Sequence, residues 1–135
     1  MKPIPWTERF SVGVKEIDIQ HRGLLDIVNQ IIDSIENEKE WQTTSTILDS
    51  LINYAYNHFA TEERYMKEAE YPELLWHVGL HLEFIKKVFA FSQEISVKGL
   101  EIQREMLTYI AEWFSNHVLV VDRKYMKCLS AKGIK

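Results

Sequence analysis

The stretch Leu74–Ile95, LLWHVGLHLEFIKKVFAFSQEI, decides the fold. Its apolar residues and two histidines recur at steps of three and four, in the order Leu74, His77, His81, Phe84, Val88, Phe91 and Ile95. This spacing places the seven side chains on one face of an α-helix, which turns once every 3.6 residues. The stretch is therefore predicted to be an amphipathic helix whose core-facing stripe contains two imidazoles.

Three other segments show the same period, within residues 24–35, 48–66 and 106–121. Polar residues at 37–42, the pair Tyr71-Pro72 and the pair Lys98-Gly99 separate the four segments, and Asp18 is a candidate N-cap for the first. Short connections favour antiparallel neighbours. We therefore predict an all-α fold, an up-down-up-down antiparallel four-helix bundle. It forms a single domain over residues 1–135, with an extended arm at 1–17, the bundle at about 18–122 and a short helical tail at 123–135.

Composition excludes several classes of protein. The chain has 135 residues, 46% of them hydrophobic, and a formal net charge of −4 without a basic face, which argues against nucleic acid as a partner. The longest apolar runs, Val88–Phe91 and Val118–Val121, are too short for membrane insertion or a signal peptide. Cys128 is the single cysteine, so an internal disulfide is excluded. The single cysteine and the lack of a secretory pattern favour the cytoplasm. Because the surface aromatics are scattered along the sequence, we expect a monomer.

All five histidines fall in core-facing stripes. His21 and His77–His81 lie near the starts of the first and third helices, whereas His58 and His117 lie near the ends of the second and fourth. In an antiparallel bundle, two starts and two ends meet at the same end of the structure. We therefore expect the five imidazoles to converge on one layer.

Two carboxylates accompany this layer. Glu62 follows His58 by four residues and shares its helix face, whereas Glu63 points off the stripe and is expected to be solvated. Asp122 follows His117 by five residues, about 140° around a regular helix. Spacing alone leaves Asp122 either on the surface or turned inward, and the inward position requires Asp122 to lean in from the helix end or the helix to deform.

The free-energy cost of burying these histidines and carboxylates must be compensated. A single histidine on an apolar face is ordinarily a hydrogen-bonded core residue, but five imidazoles and a carboxylate among apolar side chains cost several kcal/mol per uncompensated group. A bound metal compensates all of them together. The sequence therefore predicts a metal site within an apolar pocket of Leu24, Leu25, Phe59, Ile110, Trp113 and Phe114, with no second polar constellation near it.

The ordered set of these residues resembles the hemerythrin family, specifically its single-domain bacterial members. The matching motifs are Asp18-Ile-Gln-His21, His58-Phe-Ala-Thr-Glu62, His77-Val-Gly-Leu-His81 and Trp113-Phe-Ser-Asn-His117-Val-Leu-Val-Val-Asp122. The resemblance implies a non-haem di-iron centre with an oxo or hydroxo bridge that binds dioxygen reversibly. It implies that His77, His81 and His117 hold one iron, that His21 and His58 hold the other, and that Glu62 and Asp122 bridge them. One position on the two-histidine iron then stays open for dioxygen.

Three functions are compatible with such a centre. The first is oxygen storage, transport or delivery, favoured because the ligands are mostly histidine and no histidine is left for acid–base catalysis. The second is an oxygen- or redox-sensing module, ranked lower because no signalling domain accompanies the motifs. The third is a di-iron enzyme, such as an oxidase or a protein that handles nitric oxide or peroxide, or an iron store. Neither the oxygen affinity nor the client can be inferred from the residues.

Overall fold

The computed structural model describes residues 1–135, and all of its regular elements are helical. Three long helices, α1 (Lys15–Glu36), α2 (Trp41–Glu68) and α3 (Leu74–Asn116), are followed by a short α4 (Met126–Ala131). A 3-10 turn precedes α1 at Glu8–Phe10, and a π-helical turn at His117–Val121 and a 3-10 turn at Asp122–Tyr125 join α3 to α4. None of the helices has both the length and the apolar character needed to cross a membrane.

The long helix α3 is broken at Gly99. This residue has a φ of 72° and a ψ of −154°, which lie outside the helical region and are strained for residues with a Cβ. The halves on either side, residues 74–98 and 100–116, contact each other through Phe84 and Trp113, whose ring centroids are 4.0 Å apart. Phe91 and Tyr109 meet further along, with centroids 5.9 Å apart. The two halves therefore run in opposite directions, and the predicted helix end at Lys98-Gly99 is confirmed.

The apolar core is divided into two clusters. The larger cluster has 21 buried residues, which come from α1, α2 and both halves of α3 except for Phe10 and Val118. The smaller cluster has eight buried residues, including Ile17, Met66 and Tyr125, from the start of α1, the end of α2, the arm and the C-terminal segment. The predicted metal-binding residues lie between the two clusters along each helix, so apolar packing encloses their layer on both sides.

The start of α1 differs from the prediction. The helix begins at Lys15 with Val14 at the N-cap position, so Asp18 is not the cap. Asp18 instead lies in the first turn, where its carboxylate accepts hydrogen bonds from the Val12 backbone N–H at 2.8 Å and from the Ser11 hydroxyl. The carboxylate therefore fastens the N-terminal arm to α1. The arm is also held further along α1, where the Asn29 side chain bonds the backbone of Ile4.

A close approach between α1 and α2 occurs at Gly23. A Cβ at this position would lie 2.1 Å from the Tyr54 hydroxyl oxygen, which itself donates a hydrogen bond to the Gln20 carbonyl at 2.9 Å. We expect Gly23→Ala to lower the free energy of unfolding by about 1–3 kcal/mol, since overpacking outweighs the helix propensity of alanine. Urea unfolding followed by circular dichroism measures this change.

Gly79 provides the matched control for this prediction. It is exposed in α3, and a Cβ there would have no other atom within 4 Å. Gly79→Ala is therefore expected to stabilise the protein by about 0.5–1 kcal/mol. Equal stabilisation by both substitutions would contradict the close contact between the helices.

Candidate metal centre

All seven residues predicted for the metal site converge in one buried layer. The exposed fraction of each is at most 3%. Their side-chain donor atoms form two groups, and within each group these atoms all lie within 4.8 Å of one another. The larger group is Glu62, His77, His81, His117 and Asp122, and the smaller is His21, His58 and Glu62. The predicted convergence of the five imidazoles is therefore confirmed, and Glu62 belongs to both groups.

Each carboxylate divides its two oxygens between the two sets of histidines. Glu62 Oε1 lies 3.1 Å from His81 Nε2, whereas Glu62 Oε2 lies 3.2 Å from His21 Nε2. Asp122 Oδ1 lies 3.0 Å from the Nε2 atoms of both His77 and His117, whereas Asp122 Oδ2 lies 3.1 Å from His21 Nε2. This division places each carboxylate between the two sets of histidines.

The spacing of the nitrogen atoms fits metal ligands. His117 Nε2 lies 3.2 Å from the Nε2 atoms of both His77 and His81. Two nitrogens at right angles on an ion at about 2.1 Å are about 3.0 Å apart, close to this spacing. Three neutral imidazoles that carry their protons on Nδ1 have only acceptor lone pairs at Nε2, so these atoms cannot hydrogen-bond to one another. A cation at their centre resolves this conflict.

Several polar atoms of the layer lack a hydrogen bond. Glu62 Oε1 and both Asp122 carboxylate oxygens are buried without a hydrogen-bond partner of acceptable geometry. The carboxylate charges lie beside histidine nitrogens, so either protonated imidazoles or a bound cation must compensate the cost of removing them from water. The donor set combines neutral imidazoles with carboxylates, which suits divalent iron, manganese or zinc. The residues present therefore fit a metal pair.

A π-helical turn brings Asp122 into the layer. At His117–Val121 the backbone follows π-helical geometry, in which residues five apart lie on the same face. His117 and Asp122 are five residues apart, so the wider turn aligns the two side chains. Of the alternatives that spacing left open, helix deformation is the one observed, and Asp122 is fully buried.

The charges of the layer favour a bound cation. Burial lowers the pKa of the His21 imidazole, but the contacts with the Asp122 and Glu62 carboxylates outweigh it and raise the pKa to about 10. Burial likewise lowers the pKa of His77, yet the same two carboxylates raise it to about 9. Burial raises the pKa of Asp122, but the surrounding histidines, His117 above all, lower it overall. Without metal, protons balance the carboxylates, so metal binding must displace protons.

Two polar side chains that were not predicted orient the ligand imidazoles. His58 Nδ1 lies 2.7 Å from Gln20 Oε1, and His81 Nδ1 lies 2.8 Å from Glu63 Oε2. Such partners keep the proton on Nδ1 and leave Nε2 free to bind a metal. The expectation that Glu63 is simply solvated was therefore wrong, since its carboxylate contacts a site histidine. Gln20 and Glu63 are single polar neighbours of the layer, and neither was expected from the sequence.

Tyr125 is a third polar neighbour that the sequence did not reveal. Its hydroxyl donates a 2.8 Å hydrogen bond to Glu62 Oε2, and its side chain is fully buried. Burial and the nearby Glu62 and Asp122 charges raise the pKa of Tyr125 well above 10, so the phenol stays protonated. No periodic signal pointed to Tyr125, because it lies beyond the long helices in the 3-10 turn before α4.

Aromatic rings pack against the outer ligands of the larger group. Phe59 stacks on His81 with centroids 3.8 Å apart, and Trp113 stacks on His117 with centroids 4.1 Å apart. The predicted apolar neighbours other than Trp113 are buried, and Trp113 packs against the core at partial exposure. This packing fixes the ring planes and keeps water from the donor atoms.

The helical fold and the buried layer of histidines and carboxylates are those of a metal-binding protein. Comparison with known proteins identifies its family. Residues 12–129 match the family model described as Hemerythrin, hemerythrin HHE cation binding domain. The match covers most of the chain, so the protein belongs to the hemerythrin family.

Several relatives carry the name bacteriohemerythrin. The chain is 34% identical over 125 residues to the bacteriohemerythrin of Clostridium acetobutylicum, covering 90% of this chain and 97% of the relative. It is 27% identical over 124 residues to the myohemerythrin of Theromyzon tessulatum, covering 92% of each chain. A crystal structure of wild-type hemerythrin superposes with a TM-score of 0.83 at 26% identity, covering 94% of this chain and 98% of the other.

Proposed function

We propose that this protein binds dioxygen reversibly at a non-haem di-iron centre, for oxygen storage, transport or delivery. One observation carries the proposal: Glu62 and Asp122 each direct one oxygen to one set of histidines and the other oxygen to the second set. Membership of the hemerythrin family supports the same function.

The proposed ligands follow the two groups of donor atoms. His77, His81 and His117 hold one iron, and His21 and His58 hold the other. Glu62 and Asp122 would be shared by the two ions, which an oxo or hydroxo group would also link. The two-histidine ion would have one protein ligand fewer than the three-histidine ion, and it would supply the position at which a small ligand binds.

The protein's own residues prepare this site in three ways. Gln20 and Glu63 keep the Nδ1 protons of His58 and His81 in place, so that the Nε2 atoms face the metals. Tyr125 donates to Glu62 and limits the rotation of that carboxylate. Phe59 and Trp113 shield the ligand rings from water. The iron ions, when bound, supply the electrons and the coordination position for dioxygen, which no side chain of this chain can provide.

We also propose the architecture that goes with this function. The two antiparallel halves of α3 serve as the third and fourth helices of an up-down-up-down four-helix bundle, with α1 and α2 as the first two. Residues 1–135 form one domain, with the arm at 1–17, the bundle at about 18–122 and the tail at 123–135. The proposed location is the cytoplasm, where a single reduced cysteine is stable.

A carrier is favoured over an enzyme by the ligand chemistry. Carboxylate-rich di-iron proteins use a Glu from each of two helices and a Glu-x-x-His motif from each of the others. Here five of the seven proposed ligands are neutral imidazoles, so fewer anions stabilise high oxidation states of iron. All five histidines are used as ligands, so none remains for acid–base catalysis.

Oxygen mixing tests the proposal. Anaerobically reduced, iron-loaded protein is mixed with dioxygen, and visible absorption is followed. A charge-transfer band that appears with dioxygen and disappears under argon over repeated cycles is the expected result. Direct single-turnover conversion to the diferric state without that band would instead indicate an enzyme or an iron store. Metal analysis that finds no iron in protein purified from cells grown with iron would contradict the metal assignment.

A further inference from the structure

A second apolar stripe runs along the outside of α3. It consists of Leu75, Val78, Leu82, Ile85 and Phe89, and we name it the outer seam. The seam lies on a different face of the helix from the core stripe. Leu75, Leu82 and Phe89 are 85%, 64% and 56% exposed, whereas Val78 and Ile85 are half-buried. Ile85 packs against the larger core cluster, but Leu75, Leu82 and Phe89 face solvent, so the apolar character of these three residues requires another explanation.

The seam continues onto the neighbouring helix. Tyr56 of α2 is 67% exposed and borders a groove of about 170 Å³ together with Val78, Leu82 and Ile85. The three exposed seam residues and Tyr56 together expose roughly 500 Å² of mainly apolar side chain, given roughly 150–200 Å² for each large side chain. Single exposed apolar residues are normal, whereas an apolar surface of this size is comparable to the largest patch of a typical monomer, and such patches are often functional.

The spacing of the seam favours pairing with another helix. The steps from Leu75 to Phe89 are three, four, three and four residues, which is the heptad repeat of the contact positions in paired helices. The repeat extends over about 21 Å of helix, with Leu82 at its midpoint. No charged residue occupies a seam position, and Glu63 of α2, which lines the groove beside Tyr56, keeps part of its surface exposed.

We propose that the outer seam docks against the outer seam of a second copy of this chain. The result is a two-fold symmetric dimer in which residues 74–98 of the two copies run antiparallel. Such an interface buries roughly 1,000 Å² in total, which reaches the lower limit for specific association. Exposed residues of opposite charge, Glu83 and Lys86, flank the seam on one side. In the antiparallel arrangement both residues of one copy lie on the same side of the interface as both residues of the other, so together they add no net charge to this flank and do not oppose docking.

The proposed dimer is an alternative to the monomer that we expected from the sequence. The steps of three and four residues can be read from the sequence, but only the fold shows that the core leaves Leu75, Leu82 and Phe89 exposed and that Tyr56 of α2 lies beside Leu82. Because the buried area is small, we expect a reversible dimer with a dissociation constant in the micromolar range.

Sedimentation velocity of the full-length, metal-loaded protein tests the dimer between about 1 and 500 µM. The wild-type chain is expected to shift from monomer to dimer across this range. Leu82 lies near the two-fold axis, so Leu82→Glu places two carboxylates together and is expected to weaken association at least about 100-fold. Leu82→Lys is expected to do the same. An equimolar mixture of the two variants is expected to recover the dimer, because opposite charges then meet at the axis.

Ile19→Glu is the matched control. Ile19 is 58% exposed on α1, outside the outer seam, so this variant is expected to dimerise like the wild type. Helix content and metal content equal to wild type establish that each variant is folded. A wild-type chain that stays monomeric over the whole range would overturn the proposal, as would failure of the mixed variants to associate. Wild-type monomers that sediment with phospholipid vesicles would also overturn it and assign the seam to a lipid surface.

Discussion

Glu62→Gln is expected to reduce the iron content from two ions per chain to one or none. The amide keeps the size of the side chain but removes the negative charge and one of the two acceptor oxygens. Glu62 Oε1 faces His81 and Glu62 Oε2 faces His21, so one glutamine oxygen cannot serve both proposed ions. Metal analysis after anaerobic iron loading and desalting measures the stoichiometry, and the oxygen-dependent visible band is expected to be lost.

Glu63→Gln provides the matched control one residue along α2. Glu63 contacts His81 through Nδ1 and does not reach the centre of the layer, so this variant is expected to keep two ions per chain. Loss of its charge weakens the orientation of one ligand, and we expect metal affinity to fall about 10–100-fold. A Glu62→Gln protein that retains two irons and a reversible oxygen band would exclude the bridging role.

Metal removal is expected to lower the thermal unfolding midpoint by roughly 15 °C or more. A ligand at about 1,000 times its dissociation constant contributes about 4 kcal/mol per site, and each kcal/mol shifts the midpoint of a chain of this size by several degrees. The metal-free layer still buries five imidazoles and two carboxylates, several of whose oxygens have no hydrogen bond. Differential scanning calorimetry of the iron-loaded protein and the chelator-treated protein measures the difference.

Two comparisons distinguish specific binding from a general salt effect. Calcium prefers sites made only of oxygen ligands, so adding calcium to the metal-free protein is expected to leave the midpoint unchanged. Iron added to metal-free Glu62→Gln protein is expected to restore less than half of the wild-type shift, because one bridge is missing. Equal midpoints for the loaded and metal-free wild-type proteins would contradict a metal-stabilised layer.

The helices and most of the metal layer could be predicted because they depend on local periodicity. From Leu74 to Ile95, apolar residues and histidines recur every three or four residues, and the structure places this stretch in α3. Gly99 was predicted to end a helix, and its positive φ does break α3. The histidines were expected at one end of an antiparallel fold, and they lie in one buried layer. The identity of each residue and its position on the helix were sufficient for these predictions.

The N-terminal cap and the ligand-orienting residues could not be predicted in the same way. Asp18 looked like a cap, but the arm residues Ser11 and Val12 use its carboxylate instead. Glu63 looked solvated, because a helical pattern does not show that His81 of another helix turns its Nδ1 towards α2. Tyr125 belongs to no periodic segment, and its hydrogen bond to Glu62 joins residues 63 positions apart in the chain.

The sequence by itself determined that the chain is helical, which stripes of side chains face the core, and that the five histidines and Glu62 lie in those stripes. These properties depend on side-chain type and on a repeat of 3.6 residues, both of which are local. Only the tertiary structure decided whether and how Asp122 enters the layer, which oxygen faces which histidine, and that Tyr56 of α2 lies beside the outer residues of α3. A π-helical turn and contacts between distant helices are set by packing of the whole chain, and no local pattern encodes them.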